Sequence, residues 1–171
     1  MSKEKAEKTN VMRLLEQAGI HFQSHTYVGT GAVSGTEVAS VLGENPDMTF
    51  KTLVTQGKPK QYYVFMIPVA HELDLKKAAL AVGEKSISML PQKDLLPLTG
   101  YVHGGCSPIG MKKQFRTVIH VSASELPTFM FSAGKIGYQT PAILSRRIVP
   151  CYRQFALLQR LHWPREFLLP I

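Results

Sequence analysis

Cysteine, tryptophan, acidic side chains and long apolar runs are all scarce in this chain of 171 residues. No stretch approaches the roughly 18 consecutive apolar residues that a membrane-spanning helix requires, and no charged-then-apolar leader opens the sequence. A soluble protein with no membrane partner is expected. The two cysteines, Cys106 and Cys151, lie far apart and are too few for a disulfide framework, which suits a reducing, cytoplasmic setting. Six scattered histidines and these two cysteines supply no C-x-x-C pair, so neither a metal nor a cofactor is expected. Internal repeats and low-complexity linkers are missing too. The length suits one domain able to bury roughly two thirds of its unfolded-chain surface without a metal or disulfide.

Twelve acidic residues against twenty Lys and Arg leave a formal net charge of +8, a field that attracts polyanions, nucleic acid first among them. The charge is unevenly built. Residues 1–139 hold all thirteen lysines and only two arginines, Arg13 and Arg116. From residue 140 onward there are five arginines, no lysine, one acid (Glu166) and the single tryptophan, Trp163, so half of the net charge comes from the last 32 residues. Basicity is therefore weak evidence for RNA by itself. The chain divides into residues 1–139 and an atypical Arg- and Pro-containing tail, 140–171. That tail has diverged, reflects a shifted reading frame, or is an authentic basic extension.

Apolar spacing predicts an amphipathic helix through Val11, Leu14, Leu15 and Ala18, stopped at Gly19. His21–Val28 alternates like a strand, and Ser34 with Glu37 forms a capping box opening a short helix that ends near Gly43. Thr49–Thr55 and Gln61–Ile67 read as strands of a hairpin turning at Gly57-Lys58-Pro59-Lys60. Asp74 caps a helix that Gly83 ends; Ser86–Leu90 reads as a short strand and Leu95–Leu98 as a helical turn interrupted by Pro97. Arg116–Val121 and Thr128–Ser132 complete the strands. The expected fold is a single α/β domain, a mixed and mostly antiparallel sheet surrounded by helices.

The densest signal is Gly104-Gly105-Cys106-Ser107-Pro108-Ile109-Gly110, followed by Lys112 and Lys113. Three glycines and a proline in seven residues specify a backbone shape that approaches something closely. A phosphate-binding P-loop is excluded, because G-x-x-x-x-G-K-[ST] would need Lys and Ser/Thr directly after Gly110, where Met111 and Lys112 stand. Cys106 beside His103 or His120 admits a cysteine nucleophile, although free cysteines are more often small buried hydrophobes. His71 and Glu72 read as a solvated approach to the Asp74 helix rather than an acid/base pair.

Taken with Phe50-Lys51-Thr52-Leu53, His25-Thr26-Tyr27 and Ser132-Ala133-Gly134-Lys135-Ile136-Gly137, the loop resembles the YbaK/EbsC family, free-standing relatives of the editing domain of bacterial prolyl-tRNA synthetase. The resemblance covers roughly residues 9–139 and stops where relatives continue with a short strand and an acidic, Leu-rich helix; Pro141, Pro150, Pro164 and Pro170 obstruct that continuation.

The resemblance implies the editing-domain fold and trans-editing deacylation of cysteine wrongly attached to tRNA(Pro), with the tRNA acceptor end and prolyl-tRNA synthetase as partners. It implies that Gly104, Gly105, Cys106, Ser107 and Pro108 form a backbone-amide pocket for the ester oxyanion. Lys51 would orient the terminal adenosine, while Tyr27, Thr52, Ser132 and Gly134 would line the substrate pocket and Lys112 and Lys113 would meet acceptor-stem phosphates. The substrate's own thiol would then attack its carbonyl, releasing tRNA and a cyclic thioester without an enzymic base. Two other readings stay open, an alanyl-tRNA(Pro) deacylase and a non-catalytic RNA-binding module on the same scaffold.

Overall fold

The computed structural model describes residues 8–144. The sequence from residue 145 on, which holds most of the proposed tail, lies outside the described residues, as do residues 1–7. Helix α1 (Asn10–Gln17) is capped by the Thr9 hydroxyl, which accepts from the Met12 amide, and it buries Val11, Met12 and Leu15 along one stripe. Strand β1 is only His25–Thr26. Helix α2 (Gly35–Val41) carries the full capping box, with the Ser34 hydroxyl accepting from the Glu37 amide and the Glu37 carboxylate accepting from the Ser34 amide.

After a short 3₁₀ turn, β2 (Phe50–Gln56) and β3 (Tyr62–Pro68) form an antiparallel hairpin across the expected Gly57–Lys60 turn. Helix α3 (Leu75–Val82) starts at Asp74, whose carboxylate accepts from the amides of Lys76 and Lys77, and stops at Gly83. Strand β4 (Ser88–Met89), helix α4 (Gln92–Thr99), β5 (Arg116–Ile119), β6 (Thr128–Ser132) and β7 (Tyr138–Leu144) follow.

The α/β reading holds, but the strands divide between two sheets. One has the order β4-β2-β3-β5, mixed because β5 runs parallel to β3. The other, β1-β7-β6, is antiparallel throughout, and a single parallel bridge between Thr49 and Met130 joins the two. Between them lies the main core. Phe50, Val54, Val64 and Met66 of the first sheet meet Phe129 and Phe131 of the second, closed by Val11 and Leu15 of α1 and Leu95 of α4. The rings of Phe50 and Phe129 pack 5.0 Å apart, inside the range of favourable aromatic pairs. On the opposite face of β3, Tyr63 and Phe65 bury against Ala78, Ala79 and Val82 of α3. Central β3 is thus covered on both sides, which is why it reads as a continuous apolar run rather than an alternation.

Three elements depart from the sequence reading. His21–Val28 contracts to two residues because the ladder with β7 reaches only His25 and Thr26, opposite Gln139 and Tyr138. The interrupted turn at Leu95–Leu98 is an eight-residue helix containing Pro97. The ladder continues past Pro97 to the Gly100 amide, which donates to Leu96 O at 2.9 Å, and the Thr99 hydroxyl and Lys112 ammonium add bonds to Leu95 O and Leu96 O from their side chains. Pro141, read as an obstruction, sits inside β7, where the register against β6 shifts between Phe129 and Phe131. A bulge tolerates a residue that cannot donate to the ladder.

Candidate active site

A cavity of about 370 Å³ opens beside β2, on the edge that β4 covers only at Thr55 and Gln56. Phe50, Val54, Val38, Leu90 and Leu95 give it an apolar lining, and polar groups enter from separate elements: Lys51 and Thr52 on β2, Tyr27 after β1, Ser132 at the end of β6, and Gly104 and Cys106 in the glycine-rich loop. An apolar hollow with a few convergent polar groups is the usual form of a small-ligand site.

The four motifs singled out in the sequence meet here because two of them pack backbone to backbone. A Cβ on Gly105 would stand 3.1 Å from the Ile136 amide nitrogen and 3.3 Å from the Lys135 carbonyl carbon, so the loop lies directly on the Ser132–Gly137 turn. Gly134, in the left-handed region at φ +84°, leaves room for Val11 and Tyr101, whose side chains would come within 3 Å of any added Cβ. Tyr27 is moored to the same turn, its amide donating to Gly137 O at 2.8 Å, and its side chain is buried. Tyr101 pins the far end of the loop through a hydroxyl that donates to Ile109 O at 2.5 Å.

Within the loop the amides are not equivalent. Gly105 N–H donates to Val102 O at 3.0 Å, and Pro108 has no N–H. The amides of Gly104, Cys106 and Ser107 have no partner among the described residues, and of these three residues Gly104 and Cys106 line the cavity. The Ser107 side chain is fully buried and accepts weakly from the Ile109 amide, shaping the loop from behind. Burial pushes the Cys106 thiol up to about 12, and burial, then the neighbouring Cys106, pushes the Tyr101 hydroxyl to about 12. A thiol so held is neutral at ordinary pH and is no thiolate nucleophile. Thr52 Oγ1 is buried without a hydrogen-bond partner among the described residues.

Gly105, Ser107, Pro108 and Gly134 do not line the cavity, nor do Lys112 and Lys113. Lys113 is exposed, while Lys112 leans its stem on Gly100 and reaches Leu96 O. Sequence reasoning weighed His103 only as a base for Cys106, and it missed Val33 and Ser34 at the start of α2 and Met89 and Gln92 around β4 and α4. His103 alone had a local signal, its place next to Gly104; the others reach the cavity only through tertiary pairing. No group of three or more candidate metal ligands occurs among the described residues, and none of their helices is long and apolar enough to cross a membrane.

Comparison with known proteins places this geometry. A candidate Cys-tRNA(Pro)/Cys-tRNA(Cys) deacylase, EbsC of Enterococcus faecalis, is 45% identical over 141 residues, covering 81% of this chain and 86% of that protein. The proline-tRNA ligase of Trichlorobacter lovleyi is 27% identical over 121 residues, 70% of this chain but 21% of the ligase. A crystal structure described as a candidate trans-editing enzyme for prolyl-tRNA synthetase superposes with a TM-score of 0.70 at 24% identity, covering 78% of this chain and 83% of the other, and supports the fold. A solved hypothetical protein reaches a TM-score of 0.74 at 19% identity over 84% of this chain and 93% of its own. The sequence profile of the aminoacyl-tRNA editing domain matches residues 30–142, two thirds of the chain, and this protein belongs to that family.

Proposed function

We propose that this chain is a trans-editing aminoacyl-tRNA deacylase that clears Cys-tRNA(Pro), working in the cytoplasm beside prolyl-tRNA synthetase. One observation carries the reading: Lys51, Thr52, Tyr27, Ser132 and the loop residues Gly104 and Cys106 ring a single apolar-lined cavity that contains no ionised thiol. The 45% identity to a candidate Cys-tRNA(Pro)/Cys-tRNA(Cys) deacylase supports the choice of cysteine.

In this reading Lys51 holds the phosphate or ribose of the terminal adenosine, and the hydroxyls of Tyr27, Thr52 and Ser132 orient the aminoacyl group. The substrate sulfur forms a bond to its own carbonyl carbon. The resulting oxyanion is held by the amides of Gly104 and Cys106, each such donor typically worth about 10²–10³ in rate. The ester C–O bond then breaks, the thiol proton leaves with the ribose oxygen, and the cyclic thioester later opens in water. Intramolecular attack needs no enzymic base, because a well-held internal nucleophile reaches effective molarities of about 10⁵–10⁸ M. Lys112 and Lys113, outside the cavity, add positive charge for acceptor-stem phosphates.

Incubation with cysteinyl-, alanyl- and prolyl-tRNA(Pro) tests the reading. Selective loss of the cysteinyl ester is expected, and Lys51→Ala lowers kcat/KM for it by about 10²-fold or more through misplacement of the ester. Preference for the alanyl ester would move the chain to an alanine-clearing role, and no turnover of any ester would leave an RNA-binding module.

A further inference from the structure

Strand β2 offers an open main-chain edge inside the cavity, and its direction is fixed by hydrogen bonds at both ends of the hairpin. Val69 N–H donates to Thr49 O and Gly57 N–H to Gln61 O, so the odd-numbered residues of β2 exchange bonds with β3. The even-numbered residues point their N–H and C=O away from β3. Val54 O accordingly accepts from Leu90 N–H across the edge, and Pro68, which has no N–H, is paired with even-numbered Phe50. One step along, Thr52 directs its N–H and C=O outward where β4 no longer reaches. On the same residue, Oγ1 is buried and has no partner among the described residues, and the residue lines the cavity. A buried hydroxyl without a partner is rare and costly unless something satisfies it.

Resting on the deacylase reading above, we propose that Thr52 recognises the α-amino group of the esterified amino acid in the manner of an added β-strand residue. An aminoacyl ester carries an amine and a carbonyl on either side of one Cα, the same pair that a strand residue exchanges with a hydrogen-bonded neighbour. The amine donates to Thr52 C=O and Oγ1, and Thr52 N–H donates to the ester carbonyl. The site thereby selects for a free α-amine, independently of the thiol that performs the cleavage. A site built around such hydrogen bonds rejects an analogue lacking them, because its own polar groups are left unpaired.

The probe is tRNA(Pro) acylated with 3-mercaptopropionate, which keeps the thiol and ester and lacks the amine. Each rate is divided by the uncatalysed loss of the same ester. Relative to cysteinyl-tRNA(Pro), kcat/KM falls by about 10²-fold or more. Thr52→Val, which keeps the β-branched shape, lowers turnover of the cysteinyl ester by about 10-fold and that of the amine-free ester by far less, so the preference for the amine-bearing ester shrinks. Equal normalised rates for the two esters, or a parallel loss on both in Thr52→Val, overturns the proposal. Loss of the cysteinyl reaction itself in the wild-type protein would overturn the deacylase reading instead.

Discussion

Cys106 separates two chemistries that its position would otherwise allow. It lines the cavity, yet its thiol is buried and pushed up to about 12, so at neutral pH it is a small apolar wall, and in the proposed mechanism its backbone amide, not its sulfur, meets the substrate. Cys106→Ala is expected to keep kcat/KM within about 2-fold while lowering the melting temperature by a few degrees, because roughly 1 kcal/mol shifts a domain of this size by about 2–4 °C. A steady-state assay beside a thermal melt checks this. An inactive but folded variant would make Cys106 the nucleophile.

Helix ends were the most legible elements, since a cap is a local contract between a side chain and amides two or three residues away. Ser34 with Glu37, Asp74 and Gly83 all stand where the sequence put them, and β6 matches its predicted span. Asp74→Ala strips the acceptor from the Lys76 and Lys77 amides and is expected to cost about 1 kcal/mol, read as a lower urea midpoint with an unchanged m-value. An unchanged midpoint would show that packing of Ala78, Ala79 and Val82 on β3 alone holds α3. Elements that depend on distant partners were less legible. Pro97 looked like an interruption because its cost is one i−4 bond, the one to Lys93 O, whereas what holds α4 through it, the burial of Leu95 in the core, is tertiary; Pro141 looked like a barrier because a bulge is invisible without its neighbouring strand. The same limit applies to the site. Lys51, Thr52 and the glycine loop stood out by motif, whereas Met89 and Gln92 reach the cavity only because β4 docks on β2.

Across the whole molecule, the two sheets meet over one core, and a proton-sensitive contact lies at the end of the first. The His120 imidazole is buried, stacks on His71 at 6.2 Å, and accepts the Ser122 amide at Nδ1. That leaves Nε2 as the N–H, without a partner among the described residues. Asp47, exposed and 3.9 Å from the His71 ring, is the nearby carboxylate. Burial first, and His71 second, hold the His120 pKa below the ordinary value of 6.5. The folded state therefore binds fewer protons than the unfolded chain. Its stability is complete above about pH 6.5 and falls as the pH drops through that value, levelling once the folded-state pKa is passed. Urea midpoints from pH 7.5 to 5.5 should decline, and His120→Gln should flatten the decline. A wild-type midpoint that rises on acidification would contradict the assignment.

The account turns on the sulfur of the substrate, and replacing that one atom by oxygen tests it most directly. Seryl-tRNA(Pro) fits wherever cysteinyl-tRNA(Pro) fits, has the same amine and ester, and offers only a hydroxyl, a far weaker nucleophile at neutral pH. Single-turnover rates on the two esters, each divided by its uncatalysed rate, should favour cysteine by about 10²-fold or more. Equal normalised rates would mean that water, activated by the protein, cleaves the ester, and would contradict cleavage by the substrate thiol.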